Sequence, residues 1–178
     1  MTDSDLIARV LVSYDHAAFG ELVRRHQSAV RNFLRHLTAG DHAQADDLAQ
    51  ETFVQAYHSL ARFRGASSFP TWLLGIAHNH WRNARRRQRA VPVEPEPLAS
   101  SAAVASTVSL SDLKHDLTQA LDRLGPEEQT ALHLYYHQGL SHNEIAVVLN
   151  WPLGTVKTHL ARSKEKLRPL LAAWNPQT

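Results

Sequence analysis

From Asp15 to Ala90 apolar residues return at steps of three and four with few interruptions, and a chain patterned in this way builds helices. Phe19, Leu22, Val23, Val30, Phe33, Leu34 and Leu37 form one stripe, which predicts a helix from about Asp15 to Thr38, ended by Gly40. Asp41 is placed to cap a second helix, whose stripe runs through Ala45, Leu48, Ala49, Phe53, Ala56 and Leu60. The segment FRGASSF breaks the pattern. Pro70 then suits the first turn of a third helix, because an amide there would have no partner inside the helix. Leu73, Ile76, Ala77, Trp81 and Ala84 line the apolar side of that helix.

Residues 91–110, VPVEPEPLASSAAVASTVSL, carry Pro92, Pro95 and Pro97 followed by small polar residues and no long apolar stripe, which reads as a flexible linker. Helical periodicity restarts at Leu113, Leu117, Ala120, Leu121 and Leu124. Gly125-Pro126 divides this stretch from another helix carrying Ala131, Leu134 and Tyr135. No alternating run is long enough to make a sheet. The expected fold is all-α: two small helical domains, residues 1–90 and 111–178, joined by the flexible linker 91–110.

Composition narrows the possible chemistry. The chain has no cysteine, which excludes disulfide scaffolds, thiolate metal sites and cysteine nucleophiles, and a reducing compartment such as the cytoplasm is expected. The acidic start, with its short apolar run broken by Arg9, is not a signal peptide. No segment approaches the roughly 20 apolar residues of a membrane span, so no membrane contact is expected. The net charge of +2 hides an uneven distribution. Residues 1–90 hold 12 arginines against 8 carboxylates, and residues 111–178 balance at 7 against 7. Between Arg62 and Ala90 there are seven arginines and no carboxylate, a footprint suited to phosphate and equally compatible with a solvated helix end.

The strongest local signal is GLSHNEIAVVLNWPLGTVKTHLARSKEKLR. Ser141 and Glu144 have the spacing of a capping box, so a helix should begin there and bury Ile145, Ala146, Val148 and Leu149. NWPLG makes a turn. A following helix from about Leu153 offers Val156 and Leu160 to a core, while Thr155, Lys157, Thr158 and Arg162 project elsewhere. This is a helix-turn-helix whose second helix carries hydroxyls and cations suited to base edges and phosphates.

With these motifs assembled, the chain resembles the extracytoplasmic-function sigma factors over nearly all of residues 15–171. QADDLAQETFVQAYHSLARFRGASSFPTWLLGIAHNHWRNARRR is similar to region 2 of that family, and LDRLGPEEQTALHLYYHQGLSHNEIAVVLNWPLGTVKTHLARSKEKLR to region 4. The resemblance implies reversible binding to core RNA polymerase, recognition of the −10 and −35 promoter elements, and an anti-sigma factor as a further partner. It places core binding on DDLAQETFVQAY, at Asp47, Gln50, Glu51 and Phe53. Acids, an amide and an aromatic on neighbouring turns can combine charge steering with an apolar anchor, although Phe53 is also a candidate core residue. The −10 reading falls on the loop and third helix, at Arg64, Ser67, Ser68, Asn79, Arg82, Arg85 and Arg86. The −35 reading falls on Thr155, Lys157, Thr158 and Arg162. Phe69 and Trp72 are read as core plugs. His78, His80, Asn83 and Trp151 depart from the family pattern, which bears on base preference and leaves the fold assignment alone.

Other classes fit less well. A two-component or quorum-type regulator shares the helix-turn-helix but needs an alternating strand and helix domain before it, where this chain reads as helix throughout. An adaptor that sequesters sigma would bind without directing transcription. His133 and His137, four apart with His142 nearby, raise a metal site, but no accompanying motif supports one, and neither a metal nor another cofactor is expected. No serine, histidine and carboxylate grouping has a catalytic context, so an enzyme is not expected.

Overall fold

The computed structural model describes residues 1–90, 120–121 and 123–172. The proposed linker, and the restart of periodicity at Leu113 and Leu117, lie outside these residues. Among the described residues there are helices and no strands.

The first helix, α1 (Asp3–Ser13), has no counterpart in the sequence reading above. It begins at a capping box in which the Thr2 hydroxyl accepts from the Asp5 amide and the Asp5 carboxylate accepts from the Thr2 amide. It buries Leu6, Ile7 and Val10. Asp3 binds Arg25 and His26 of the next helix, His26 through Nε2 at 2.8 Å, and so fixes α1 alongside it.

Asp15 caps α2 (His16–Leu37) by accepting from the Ala18 amide at 3.0 Å. Leu22, Val30, Phe33 and Leu34 of its stripe are buried. Each contributes on the order of 1.5–3 kcal/mol of burial, which outweighs what local propensity could supply. Gly40, at φ +88°, closes α2 in a conformation that residues with a Cβ rarely adopt. Asp41 then caps α3 (His42–Ser59) through the Gln44 amide, as its spacing predicts. A short 3₁₀ turn (Leu60–Arg62) leads into the loop.

α4 (Phe69–Ala90) packs against both α2 and α3 and completes the first helical group. Three further helices, α5 (Pro126–Tyr136), α6 (His142–Leu149) and α7 (Leu153–Ala172), form a second group around Leu134, Ile145, Val148, Leu149, Val156 and Leu160. Ala146 is only half buried. The two groups touch along α4 with α6 and along α2 with α5.

Candidate nucleic-acid interface

The capping box at Ser141 forms as its sequence predicts. Glu144 donates its amide to the Ser141 hydroxyl, and its carboxylate accepts from the Ser141 amide at 3.0 Å. Asn150, in the left-handed region at φ 54°, ends α6 and sends its N–H back to the carbonyls of Ala146 and Val147. Asparagine tolerates that conformation because its short polar side chain bonds locally. The chain turns through Trp151 and Pro152 into α7, which completes a helix-turn-helix.

On α7, Val156 and Leu160 are buried, and this sets the rotation of the helix. Lys157, Thr158 and Arg162 are consequently exposed and Thr155 half exposed. Thr155, Thr158 and Arg162 follow i, i+3, i+7 spacing and share a face, with Lys157 one step around. The Thr158 hydroxyl donates to the Gly154 carbonyl at 2.9 Å, which leaves its lone pairs free to accept. Behind this face, Lys166 of α7 donates to the buried Glu128 of α5 at 2.7 Å. Burial alone would raise the Glu128 carboxyl, but the Lys166 ammonium and the Gly125 amide outweigh it and hold the group below the usual range.

The loop before α4 divides its residues between packing and surface. Phe63, Phe69 and Trp72 form an aromatic cluster with centroids 5.2–5.7 Å apart, and Phe69 is buried in the core. Arg64 and Ser68 are exposed and Ser67 half exposed. Ser68, a candidate for base contact, also starts α4: its hydroxyl accepts from the Thr71 amide at 3.3 Å and bonds the Thr71 hydroxyl at 2.7 Å.

Further along α4, Asn79, Arg82, Arg85 and Arg86 are exposed. Arg85 stacks over the Trp81 ring at 5.3 Å, which holds the guanidinium near the helix surface. The three arginines line a 510 Å³ cleft closed on its other side by Asn150 and Trp151 of the helix-turn-helix. From Phe69 to Arg85 the helix rises about 24 Å, so the loop residues and the arginine end sit at opposite ends of one long surface and not in a single pocket.

The candidates on α3 lie around a different feature. Asp47, Gln50 and Phe53 line a 790 Å³ groove between α2 and α3, together with Phe19, Val23 and Val54. Asp47, Gln50 and Glu51 are exposed, whereas Phe53 is only 9% exposed and forms the groove floor. Glu51 leans away from the groove toward His80 of α4, at 3.3 Å. Val54, 54% exposed, is the apolar residue the sequence reading missed. Its signal was an apolar side chain one position beyond the buried stripe.

Among the described residues no group of three or more histidines and carboxylates is arranged to hold a metal, and no helix is long and apolar enough to cross a membrane. His142 packs on Tyr135 at 5.4 Å and does not join His133 and His137.

Residues 22–91 match the family described as Sigma-70 region 2, and residues 114–167 match Sigma-70, region 4. The ECF RNA polymerase sigma-E factor of Haemophilus influenzae is 32% identical over 96% of this chain and 98% of its own length. That of Escherichia coli K12 is 33% identical over 96% and 97%. Among solved structures, CnrH in complex with the cytosolic domain of CnrY matches with a TM-score of 0.66 and 29% identity, covering 96% of this chain and 97% of that one. The sigma factor RpoE in complex with the anti-sigma factor NepR, from Bartonella quintana, matches with a TM-score of 0.65 and 27% identity, covering 86% and 96%. The chain belongs to the extracytoplasmic-function sigma factors of the sigma-70 family.

Proposed function

We propose that this chain binds core RNA polymerase through the α2–α3 groove and directs it to promoters whose two elements are read by its two helical groups. Residues 1–90 serve polymerase binding and the −10 element, residues 91–110 connect, and residues 111–178 serve the −35 element. The observation that carries the reading is the pairing of an apolar-floored groove with Asp47 and Gln50 exposed beside it on one group with an exposed cationic helix-turn-helix face on the other, in the order the family has them.

In the groove, Asp47 and Gln50 flank an apolar floor of Phe53, Phe19 and Val23, and Val54 supplies an exposed anchor. A helix bearing cations and aliphatic side chains fits such a surface, the cations pairing at the rim while the anchor is desolvated. Arg82, Arg85 and Arg86 neutralise phosphates beside the −10 element, and Asn79, which both donates and accepts, meets a base edge, with Arg64, Ser67 and Ser68 at the loop end. On α7, Lys157 and Arg162 supply phosphate and guanine contacts, and Thr155 and Thr158 supply hydroxyls and methyls. The protein acts inside the cell and carries out no bond chemistry of its own. Two of the solved relatives are complexes with a CnrY cytosolic domain and the anti-sigma factor NepR, and an anti-sigma factor is the proposed regulator here also.

Run-off transcription with purified core polymerase on genomic fragments tests the whole reading. Discrete promoter-dependent transcripts that require this chain are expected. Core polymerase that gains no promoter selectivity on its addition would overturn it.

A further inference from the structure

Three histidines are stacked across the seam between the two helical groups. His36 comes from the last turn of α2, His133 from the last turn of α5, and His137 caps the same end of α5. The His36 and His133 rings lie 4.5 Å apart and 8° from parallel, and the His133 and His137 rings 4.9 Å apart at 25°. Phe33 covers His133 from the α2 side at 6.0 Å. Nε2 of His133 is buried without a hydrogen-bond partner. Beside the stack, Gln138 donates to the Ala29 carbonyl of α2 at 3.3 Å, so this patch belongs to the contact between the groups.

Charge on more than one ring opposes such a stack. Two imidazolium ions face to face would repel at close range, and a proton on the buried His133 nitrogen would have no acceptor. Among the described residues no carboxylate pairs with the stack. On α2, Arg31 and Arg35 are cations and turn toward Asp46 of α3, at 3.4 and 3.9 Å. On α5, Glu127 and Glu128 stand at the opposite end of the helix, where Glu128 is taken by Lys166 of α7. Among the described residues the histidines paired with carboxylates are His26 and His80, and neither belongs to the stack.

We propose that the His36, His133 and His137 stack is a proton-sensitive latch that holds the two helical groups together when neutral and releases them when protonated. Release matters to the function proposed above, on which this consequence rests, because groups in direct contact cannot sit on separated promoter elements. In the closed form the arginine end of α4 also faces Asn150 and Trp151 across the cleft.

Burial, followed by the neighbouring imidazoles, pushes His133 down to about 3 and also lowers His36. His78, buried on α4 beside the Val148 backbone of α6, is pushed down to about 4 by burial and then by Arg82, and it adds an effect of the same sign. In a released form these rings meet water and return to about 6.5. Closure is therefore unpenalised above that pH and weakens as pH falls below it. For His133 the weakening is about tenfold at pH 5.5.

The absence of cysteine makes the test direct. Gln55→Cys on α3 and Glu165→Cys on α7, both exposed positions, accept a pair of spin labels in the full chain. Between pH 7.5 and 5.5 the inter-label distance should lengthen while far-UV circular dichroism holds its helical signal. A His36→Gln, His133→Gln, His137→Gln variant should respond at least tenfold less over the same interval. Proton NMR of the unsubstituted chain gives a second reading, in which His36 and His133 titrate in step with the separation. A distance that does not change, a triple variant that opens as the parent does, separation only with loss of helix, or His133 titrating near 6.5 in a chain that stays closed would each overturn the latch. These measurements need neither DNA nor polymerase, so their failure is distinguishable from failure of the proposed function.

Discussion

The Thr71 hydroxyl of α4 donates to the Glu144 carboxylate of α6 at 3.0 Å, which ties the start of one helical group's last helix to the start of the other's helix-turn-helix. Both residues also act locally: Thr71 bonds the Ser68 cap, and Glu144 closes the capping box with Ser141. Glu144→Ala should therefore lose the cap as well as the seam contact, at about 1–2 kcal/mol, and Thr71→Val only the seam and its cap bond, at about 0.5–1.5 kcal/mol. A double-mutant cycle by urea unfolding measures the shared part, which should differ from zero. The Ser141 amide and then the Ser141 hydroxyl outweigh burial and hold the Glu144 carboxyl below its usual value, with a smaller contribution from Thr71. The stability this supplies is present above about pH 4.5 and is lost as pH falls through the lowered value.

On α3, Asp47→Ala in the groove with Glu51→Ala beside it should reduce co-purification with core polymerase while helical content stays constant. Both carboxylates are exposed, so little stability rests on them. Val54→Asp should reduce binding further, by placing a charge where an apolar anchor is desolvated. Core affinity unchanged in all three substitutions would remove the groove from the polymerase interface.

On α7 the two cations should separate by experiment. Loss of a phosphate contact weakens binding about equally on all sequences and lowers the salt slope by about 1, whereas loss of a base contact costs about 1–3 kcal/mol and relaxes preference at one position. Lys157→Ala should show the first pattern and Arg162→Ala either, as read by binding to −35 variants across a salt series. Wild-type affinity and preference in both would exclude these residues.

Glu128 has its side chain 8% exposed, whereas its partner Lys166 is half exposed. Lys166→Ala should leave a buried carboxylate held only by the Gly125 amide, and lower unfolding stability by about 1–3 kcal/mol. A Glu128→Gln, Lys166→Ala chain should recover part of that loss, because no unpaired charge remains. Thermal denaturation compares the three chains.

Much of this molecule was legible because its signals are local. The stripes of α2 and α3, the Asp41 cap, the Ser141 and Glu144 box and the rotation of α7 set by Val156 and Leu160 each depend on residues within a few turns of one another. The first helix escaped because its 11 residues carry a short stripe of Leu6, Ile7 and Val10, although the Thr2 and Asp5 cap was there to be read. Other features depend on what folds against them. Whether Phe53 is an exposed anchor or a groove floor follows from α2 lying beside it, and nothing in its own neighbourhood decides between the two. Whether a histidine is a solvated surface group or a neutral ring in a stack depends on residues as far apart as His36 and His133. Thr71 and Glu144 meet across 73 positions for the same reason. Hydrophobic periodicity specifies which face of each helix is buried, but the pairing of those faces is set by the packing of whole helices, and the environments of buried polar groups exist only once that packing is complete.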